Sequence, residues 1–346
     1  MLIFIGAFAV AYGLGFPVCG WLVRSQIIDR PNERSSHDRP IARGGGLAIM
    51  GAIALGTVVL WFQHGDARLV LIVATTLALA VVSFIDDVKS LSARFRFLCH
   101  AFGAVVVLAL LGWPLAGLEI GPGYSWTMPQ GQGLAVLFVW IAGYTNAFNF
   151  MDGINGIAAG QAVLTGTGMA ILGGLASGQW NQPAIGLGLL VAGAAGGFLP
   201  HNFPSARMFM GDVGSVPLGF LLATLALWLA QSCGMWLLVP LALLHGNYVL
   251  DTGITLVRRM RRGEPFYKAH HEYFYQRLAR GGKSHAFVTG CEMGLQCLVL
   301  LLMILYIHSG IRERIGLAVG VVMLWIAFFI YCEWRFQRSA KLGHRE

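Results

Sequence analysis

Charged residues are scarce in this sequence. Only 12% of its 346 residues are Asp, Glu, Lys or Arg, and 56% are hydrophobic, whereas a soluble domain carries roughly 25% charged residues. This composition indicates a polytopic membrane protein and excludes the other broad classes. No polar stretch is long enough to fold alone, so we expect a single membrane domain over residues 1–346.

The sequence also lacks the signals of several other kinds of protein. Its six cysteines form no C-x-x-C pair and lie mostly in apolar runs, which is typical of small buried side chains rather than of a disulfide or zinc framework. The first residues show no basic segment and no clear cleavage site, so we interpret the first apolar run as a retained span. No internal repeat is apparent, and this argues against a transporter, because many transporters contain one.

Long apolar runs, by contrast, are abundant. A run of about 20 apolar residues can cross a bilayer, and length and flanking charge indicate about 11 such spans. They lie near residues 2–23, 45–62, 68–86, 97–113, 134–149, 156–175, 184–199, 215–232, 234–256, 286–308 and 315–333. We therefore predict an all-α polytopic integral membrane protein. The short fifth and seventh spans are expected either to tilt little or to be partly re-entrant.

The sequence contains 46 glycines, and some of them recur at helical spacing. Gly156 and Gly160 are separated by three residues, as are Gly193 and Gly197. Small residues at this spacing let membrane helices approach each other closely. We therefore expect tight helix contacts at these two positions.

Lys and Arg are distributed very unevenly between the two sets of loops. With 11 spans, 21 of the 24 fall in the loops after odd-numbered spans and in the C-terminal tail. The positive-inside rule then places these loops and the C-terminus in the cytoplasm and the N-terminus in the periplasm. The net charge of +8 thus reflects membrane orientation, with some attraction to anionic lipid headgroups, rather than a nucleic-acid partner.

Acidic residues recur at the ends of apolar runs. Asp86 and Asp87 end the third span, and Asp152, Asp212 and Asp251 each follow or end another. A carboxylate near membrane depth is costly unless it is paired or lines a wet cavity. If the count of spans holds, all five face the cytoplasm, and we predict that they meet on one face and handle magnesium and phosphate. For any single acid, the alternative is that the helix simply ends in water.

The predicted cytoplasmic loops carry further polar groups. They lie near residues 24–44, 86–96, 146–156, 200–215 and 257–285. In the first, five arginines precede the glycines 44–46, which either offer N–H groups to an anion or permit tight packing. The third combines amides, an acid and glycines, which suits a nucleotide or sugar, although a capped polar turn is the alternative. In the fourth, Phe209 is suited to stacking on a base or to packing against lipid.

The fifth loop joins an arginine cluster at 258–262 to His270, His271 and Glu272. Zinc is disfavoured because the loop has no His pair at i,i+4, and a cationic loop that grips a diphosphate fits better. Carboxylates, amides, arginines and histidine without a thiolate suit a hard metal, and Mg²⁺ usually takes one or two carboxylates plus water and substrate phosphates. Phosphoryl transfer needs such an ion, so we predict Mg²⁺, with Mn²⁺ as an alternative.

Four of these motifs stand in the order and spacing of a known family. They are Asp86-Asp87, the segment 149–153 (NFMDG), the segment 209–215 (FMGDVGS) and the stretch from His270 to Leu278. The chain resembles the polyprenyl-phosphate N-acetylhexosamine-1-phosphate transferases, glycosyltransferase family 4, over nearly its whole length. The nearest group is the bacterial O-antigen initiating enzymes, and the phospho-MurNAc-pentapeptide transferase is a more distant relative.

The resemblance implies an enzyme of the bacterial inner membrane with its active site on the cytoplasmic face. Its reaction would transfer an N-acetylhexosamine-1-phosphate from a UDP-sugar to undecaprenyl phosphate and release UMP. This would initiate a cell-surface polysaccharide such as the O-antigen of lipopolysaccharide. The implied partners are the two substrates and membrane lipid, without nucleic acid, and a homodimer is left open.

The resemblance also implies roles for individual residues. Asp212 and Asp87 would hold the metal, and Asp86, Asp87, Asp152 and His270 would serve catalysis, with Asp86 as a candidate base. Substrate would be bound by Asn149, Asn155, Asn202, Phe209, Arg43, His271 and Arg277, of which Asn155, Asn202 and Phe209 would hold uracil. Two positions depart from the family pattern: Asn155 stands where many members have Asp, and Tyr273 where a second histidine is common, so His271 is a candidate substitute.

Two other classes of protein are alternatives to the enzyme. An ion- or proton-coupled transporter that uses intramembrane acids would place its carboxylates near mid-membrane, whereas most of these acids lie at one edge beside Gly- and Asn-rich loops. A non-catalytic scaffold of a polysaccharide complex would not require acids in all these loops.

Overall fold

A computed structural model describes residues 1–30, 39–112, 117–121, 124–264 and 270–343, and it confirms the all-α polytopic architecture. The helices are α1 Leu2–Arg24, α2 Gly46–His64, α3 Ala67–Lys89, α4 Ala93–Leu111, α5 Gln130–Met151, α6 Ile157–Ser177, α7 Pro183–Asn202, α8 Asp212–Cys233, α9 Leu238–Leu244, α10 Gly246–Arg261, α11 Phe274–Arg280, α12 His285–His308 and α13 Ile311–Gly343. Ten are long and apolar enough to cross a membrane, and a bent pair brings the number to 11. Parts of two predicted catalytic loops, 31–38 and 265–269, lie outside the described residues.

The fifth and seventh spans are longer than their hydropathy indicates. Helices α5 and α7 contain 22 and 20 residues, so the interpretation as partly re-entrant segments is wrong. Helix α5 extends beyond its predicted run at 130–133 and 150–151, and α7 extends at 183 and 200–202. The extension of α7 carries Asn202, whereas Asn149 ends the predicted fifth run.

The ninth span is not the continuous helix that the sequence predicts. A 3₁₀ turn at Met235–Leu237 leads into α9, and α10 follows at an angle of 67°. The break leaves the carbonyl of Leu244 outside regular helical bonding, where it accepts hydrogen bonds from the side-chain amides of Gln161 (3.1 Å) and Gln296 (2.7 Å). Backbone groups freed at membrane depth need such partners, and hydropathy alone does not reveal them.

Helix α8 lies at the centre of the bundle. It packs against α2, α3, α4, α5, α6 and α7, and its membrane window is buried throughout. A helix that is apolar on every side is stable only when other helices surround it. The N-terminus of this central helix begins with Asp212, so the position of α8 determines where that carboxylate stands.

Two small sheets connect the helices. Strands β1 (Ile28–Asp29), β2 (Ile41–Arg43) and β5 (Met208–Phe209) form one sheet, in which β2 pairs antiparallel with β1 and parallel with β5. Strands β3 (Gly117–Gly121) and β4 (Tyr124–Thr127) form an antiparallel hairpin. The first sheet places Arg43 beside Phe209, and so joins the first and fourth predicted catalytic loops.

The expected tight helix contacts are confirmed for Gly160, Gly193 and Gly197 but not for Gly156. A Cβ on Gly197 would lie 2.2 Å from the carbonyl oxygen of Phe8, and one on Gly193 would lie 2.3 Å from that of Phe4, so both glycines allow α7 to touch the backbone of α1. Gly160 similarly lies against Met293 of α12. Gly156 instead has φ of +80° before α6, a conformation that favours glycine.

We predict that Gly197→Ala destabilises the protein, because its methyl group would force α1 and α7 apart. Overpacking of this kind costs about 1–3 kcal/mol. Gly13→Ala in α1 is the matched control, because a Cβ there meets nothing within 4 Å. Thermal unfolding in detergent should show a lower midpoint for Gly197→Ala alone, and equal midpoints for the two variants would contradict the packing described.

Candidate active site

Four of the predicted acids lie together at one end of the bundle, which we call the acidic end: Asp86, Asp87, Asp152 and Asp212. Successive spans alternate in direction, so the C-terminal ends of α3 and α5 meet the N-terminal ends of α2, α4 and α8 there. The predicted convergence of separate acidic turns on one surface is therefore present in the fold.

Asp87 caps the central helix. Its buried carboxylate accepts hydrogen bonds from the backbone N–H groups of Asp212 (3.0 Å) and Val213 (2.9 Å) at the start of α8. The first N–H groups of a helix lack partners within the helix, and the helix dipole favours a negative charge there. Gly211 allows this approach because it has φ of +74° and no side chain. A Cβ at this position would lie 2.8 Å from a carboxylate oxygen of Asp87.

Two arginines link the acids to one another. Arg43 contacts Asp87 through Nε (2.8 Å) and Asp212 through Nη2 (2.9 Å). Burial works against its charge, but the nearby carboxylates of Asp212 and Asp87 prevail and raise the pKa of Arg43 above its ordinary value. Arg96 contacts Asp86 (2.7 Å) and Asp212 (3.5 Å). Both arginine side chains remain more than a third exposed, so they can face a ligand as well.

Sequence reasoning missed Arg96 as a site residue. It stands at the start of α4, where its charge resembles that of any arginine at a membrane edge. The acid pair Asp86-Asp87 lies one short turn earlier in the sequence, and this proximity could have indicated that Arg96 pairs with the acids.

Asn149, in the last turn of α5, also lies at the acidic end. Its amide donates to Asp212 Oδ1 (3.2 Å) and to the Ser215 hydroxyl (2.8 Å). Ser215 ends the segment 209–215, and its hydroxyl helps to orient the amide. Arg43, Arg96 and Asn149 thus all donate to the carboxylate of Asp212.

Asp152 differs from the other three acids because it makes no side-chain hydrogen bond or ion pair with any described residue. It follows α5 and is half-buried. Loss of water around the carboxyl, with the nearby charges of Asp212 and Asp87, raises the pKa of Asp152 to about 7, although Arg43 opposes this shift. A carboxyl in this situation gains from a cation, which would relieve the repulsion.

The glycines that enter α2 serve packing rather than anion binding. The N–H groups of Gly44 and Gly45 donate to the carbonyl of Phe209, and that of Gly46 donates to Met210. A Cβ on Gly46 would lie 2.2 Å from Gly214 Cα. The hypothesis of an anion held by these N–H groups is therefore wrong, because backbone carbonyls already occupy them.

The residues predicted to hold uracil lie beside the acidic end. Two of them also form hydrogen bonds that connect its loops. Asn202 is buried, and its amide accepts from Gly156 N–H (2.6 Å) and donates to the Met208 carbonyl (3.0 Å). Asn155 donates to the Pro204 carbonyl (3.1 Å). Phe209 is half-buried in β5. The structure thus brings these three residues together, and their contact with a base stays a prediction.

Asp251 does not join the other acids. It is fully buried in α10, and its carboxylate accepts from the N–H groups of Phe274 (2.9 Å) and Tyr275 (3.3 Å) at the start of α11. The expectation that it faces the magnesium and phosphate site is therefore wrong, because both oxygens are committed to this helix.

Tyr273 links His270 to the end of α5. Its ring contacts Tyr273, with centroids 4.6 Å apart, and the Tyr273 ring stacks on Phe150. The N–H of Glu272 donates to His270 Nδ1 (3.3 Å). Desolvation and the charge of Arg259 lower the pKa of His270 to about 4, so its ring is neutral at pH 7. Its neighbour His271 is half-buried, and its carbonyl accepts from Arg280.

Four arginines of the fifth loop, Arg258, Arg259, Arg262 and Arg277, are already paired with glutamates. Glu272 accepts from Arg259 (2.6 Å), Arg262 and Arg277 (3.3 Å). Burial opposes the charge of Glu272, but these arginines, Arg262 first, lower its pKa to about 2. Arg277 also contacts Glu333 (2.6 Å). Part of the positive charge of this loop is thus compensated by glutamates, and the cationic grip on a diphosphate, with substrate binding by Arg277, stays a prediction.

The donor set at the acidic end fits a hard cation. Among the described residues, no group of three or more His, Cys, Asp or Glu side chains could hold a metal by itself. Mg²⁺ does not require such a cage, because one or two carboxylates, water and substrate phosphates suffice. Asp152 offers an uncommitted carboxylate, and Asp212 a second one that arginines hold in place.

The chain is similar to members of one family of known proteins. The model of the family described as glycosyl transferase family 4 matches residues 69–230. A probable undecaprenyl-phosphate N-acetylglucosaminyl 1-phosphate transferase of Bacillus subtilis is 26% identical over 305 residues, which cover 88% of this chain and 80% of the relative. The decaprenyl-phosphate N-acetylglucosaminephosphotransferase of Mycobacterium tuberculosis is 28% identical over 314 residues, which cover 83% of this chain and 78% of the relative.

A phospho-N-acetylmuramoyl-pentapeptide-transferase of Synechococcus is 34% identical over 255 residues, which cover 69% of this chain and 67% of the relative. The family match ends within α8 and therefore includes Asp86, Asp87, Asp152 and Asp212. These similarities, with the acids gathered at one end of the bundle, establish that the chain belongs to glycosyl transferase family 4.

Proposed function

We propose that the protein transfers an N-acetylhexosamine-1-phosphate from a UDP-sugar to a polyprenyl phosphate, undecaprenyl phosphate in particular, at the cytoplasmic face of the inner membrane. The observation that carries this proposal is the acidic end itself. There, Asp212 begins the central helix under two half-exposed arginines, and Asp152 stands beside it without a hydrogen-bonding or ion-pair partner among the described residues. This arrangement suits a diphosphate and a divalent cation better than an ion path across the bilayer.

The names of the relatives support the substrate class. Two of the three relatives are named as transferases of N-acetylglucosamine phosphate, one for undecaprenyl phosphate and one for decaprenyl phosphate. GlcNAc is therefore the first sugar to test, with its 6-deoxy relatives next. None of the three names mentions O-antigen, so initiation of O-antigen or another surface polysaccharide stays a prediction.

In the proposed reaction, an oxygen of the lipid phosphate forms a bond to the phosphorus that carries the sugar. The bond from that phosphorus to the UMP oxygen breaks, and UMP leaves. The lipid phosphate is already anionic at neutral pH, so no strong base is needed. Asp86 is poorly suited to that role, because Arg96 (2.7 Å) and the Leu91 N–H (2.6 Å) both donate to its carboxylate.

The protein's own part is mainly positioning and charge compensation. Arg43 and Arg96 would bring the two anionic substrates together, since guanidinium groups bind phosphate oxygens well. Asp152 and Asp212 would hold Mg²⁺, which neutralises phosphate charge during transfer. Asp87 would act by fixing the start of α8, because its two oxygens already accept N–H groups.

Purified protein should release UMP when it is given undecaprenyl phosphate, Mg²⁺ and the correct member of a panel of UDP-sugars. Removal of Mg²⁺ with EDTA should abolish release, and Mn²⁺ should restore part of it. UMP release is measured by a coupled assay or by chromatography. Protein that releases no UMP with any sugar, yet moves ions across proteoliposome membranes, would support the transporter instead.

Asp212→Ala should abolish transfer while the protein still inserts and folds, because the change removes the carboxylate shared by Arg43, Arg96 and Asn149. Asp66→Ala is the matched control, since Asp66 pairs with nearby Arg68 at the start of α3, away from the acidic end. Turnover and thermal unfolding are compared for the two variants. Near-normal turnover of Asp212→Ala would remove its assigned role.

Arg96→Gln should lower kcat/KM by about a hundredfold, since removing a charge-assisted hydrogen bond to a phosphate costs about 3 kcal/mol. Arg94→Gln, two residues earlier on the same helix and exposed, should leave turnover unchanged. Equal effects of both substitutions would indicate a general decrease of surface charge rather than a specific interaction with substrate.

A further inference from the structure

The carboxylate of Asp251 is fully buried, yet the proposed reaction does not use it directly. It accepts from the first two N–H groups of α11, and the Thr255 hydroxyl lies 3.3 Å from Oδ1. Burial of a charged group is costly unless hydrogen bonds compensate for it. Its two backbone partners come from residues more than 20 positions later in the chain, so the carboxylate fixes α11 upon α10.

Helix α11 in turn contacts the segment on both sides of Asp152. The Tyr275 hydroxyl donates to the Phe150 carbonyl (3.1 Å), and the Tyr273 ring stacks on Phe150 with centroids 6.3 Å apart. A Cβ on Gly153 would lie 2.1 Å from the Tyr275 hydroxyl oxygen. The turn that carries Asp152 is thus fitted against Tyr275 so closely that only glycine is accommodated at 153.

We propose that Asp251 is a positioning residue for the transfer reaction: by holding the start of α11 it places Tyr275, and through Tyr275 it places the turn that presents Asp152. This inference rests on the proposed function in so far as Asp152 is assigned to the cation and the diphosphate. Asp251 itself touches neither, since its carboxylate is closed off by the two backbone N–H groups. The same contacts place His270, which precedes α11 by four residues.

The geometry also separates this role from simple stabilisation of α10. Thr252, the next residue of that helix, is buried as well, but its hydroxyl donates to the Tyr248 carbonyl (2.6 Å) within the same helix. A substitution there disturbs the packing of α10 without releasing α11. Thr252→Val is therefore the matched control for Asp251→Asn.

The test uses the full-length protein in detergent and three variants: Asp251→Asn, Tyr275→Phe and Thr252→Val. Asp251→Asn removes one of two acceptor oxygens, and Tyr275→Phe removes only the hydroxyl that reaches Phe150. Binding of Mn²⁺ in the presence of UMP is measured by electron paramagnetic resonance, which needs no turnover. Thermal unfolding, kcat and KM for the UDP-sugar are measured beside it.

We expect Asp251→Asn and Tyr275→Phe each to weaken Mn²⁺ binding and to lower kcat by about tenfold, the usual effect of losing a group that orients a metal ligand. Thr252→Val should leave both values unchanged. A purely structural role would lower the unfolding temperature and the folded fraction, but the remaining folded protein would keep the wild-type Mn²⁺ affinity.

Wild-type Mn²⁺ affinity and kcat in Tyr275→Phe would overturn the inference, even if Asp251→Asn failed to fold. Absence of Mn²⁺ binding in the wild-type protein would overturn it too. Failure of the proposed function is recognised separately: no UDP-sugar would then yield UMP with the wild-type protein, while the Mn²⁺ measurement would still report whether Asp251 and Tyr275 place Asp152.

Discussion

The contact between Asp87 and the first turn of α8 determines the rest of the site. Two N–H groups at a helix N-terminus need acceptors, and here a carboxylate from the end of α3 supplies both. The contact fixes the position of a central helix relative to a neighbour that runs in the opposite direction. Because Asp212 is the first residue of α8, its side chain is placed by the same contact.

Among the described residues, the acidic end combines more negative than positive charge. Asp86, Asp87, Asp152 and Asp212 stand against Arg43 and Arg96. Like charges this close repel one another, and bridging arginines compensate three of the four carboxylates. The remaining imbalance lies at Asp152, which is where a divalent cation would gain most. Since the charged groups are oriented before substrate arrives, little reorganisation is needed during reaction.

The fifth loop also has a structural role beside the predicted phosphate grip. Four of its arginines, Arg258, Arg259, Arg262 and Arg277, pair with Glu264, Glu272 or Glu333, and Asp251 holds the start of α11. These contacts make the segment from His270 to Arg280 a rigid support against the end of α5. A buried ion pair contributes little net stability but can specify one arrangement, and here that arrangement bears on Asp152. The neutral His270 ring is presented from this support.

The amino-acid sequence alone specifies the class of the protein, the number of its spans and the identity of most acids at the site. Hydropathy and the position of acids at span ends are local properties, and alternation of spans brings alternate ends to one side whatever the packing. The sequence also identifies the tight contacts of Gly193 and Gly197, because helical spacing of glycine indicates close approach.

Which polar group contacts which, by contrast, depends on tertiary packing. Asp87, Asp152 and Asp251 look alike in sequence, since each is an acid beside an apolar run. Yet Asp87 and Asp251 cap helices, whereas Asp152 has no such partner in the part of the chain that the structure describes. Arg96 and Arg277 are both cationic, but one reaches the acids and the other is neutralised by glutamates. Partners of this kind come from helices far apart in the chain, so their pairing follows from how the helices pack and not from any local pattern.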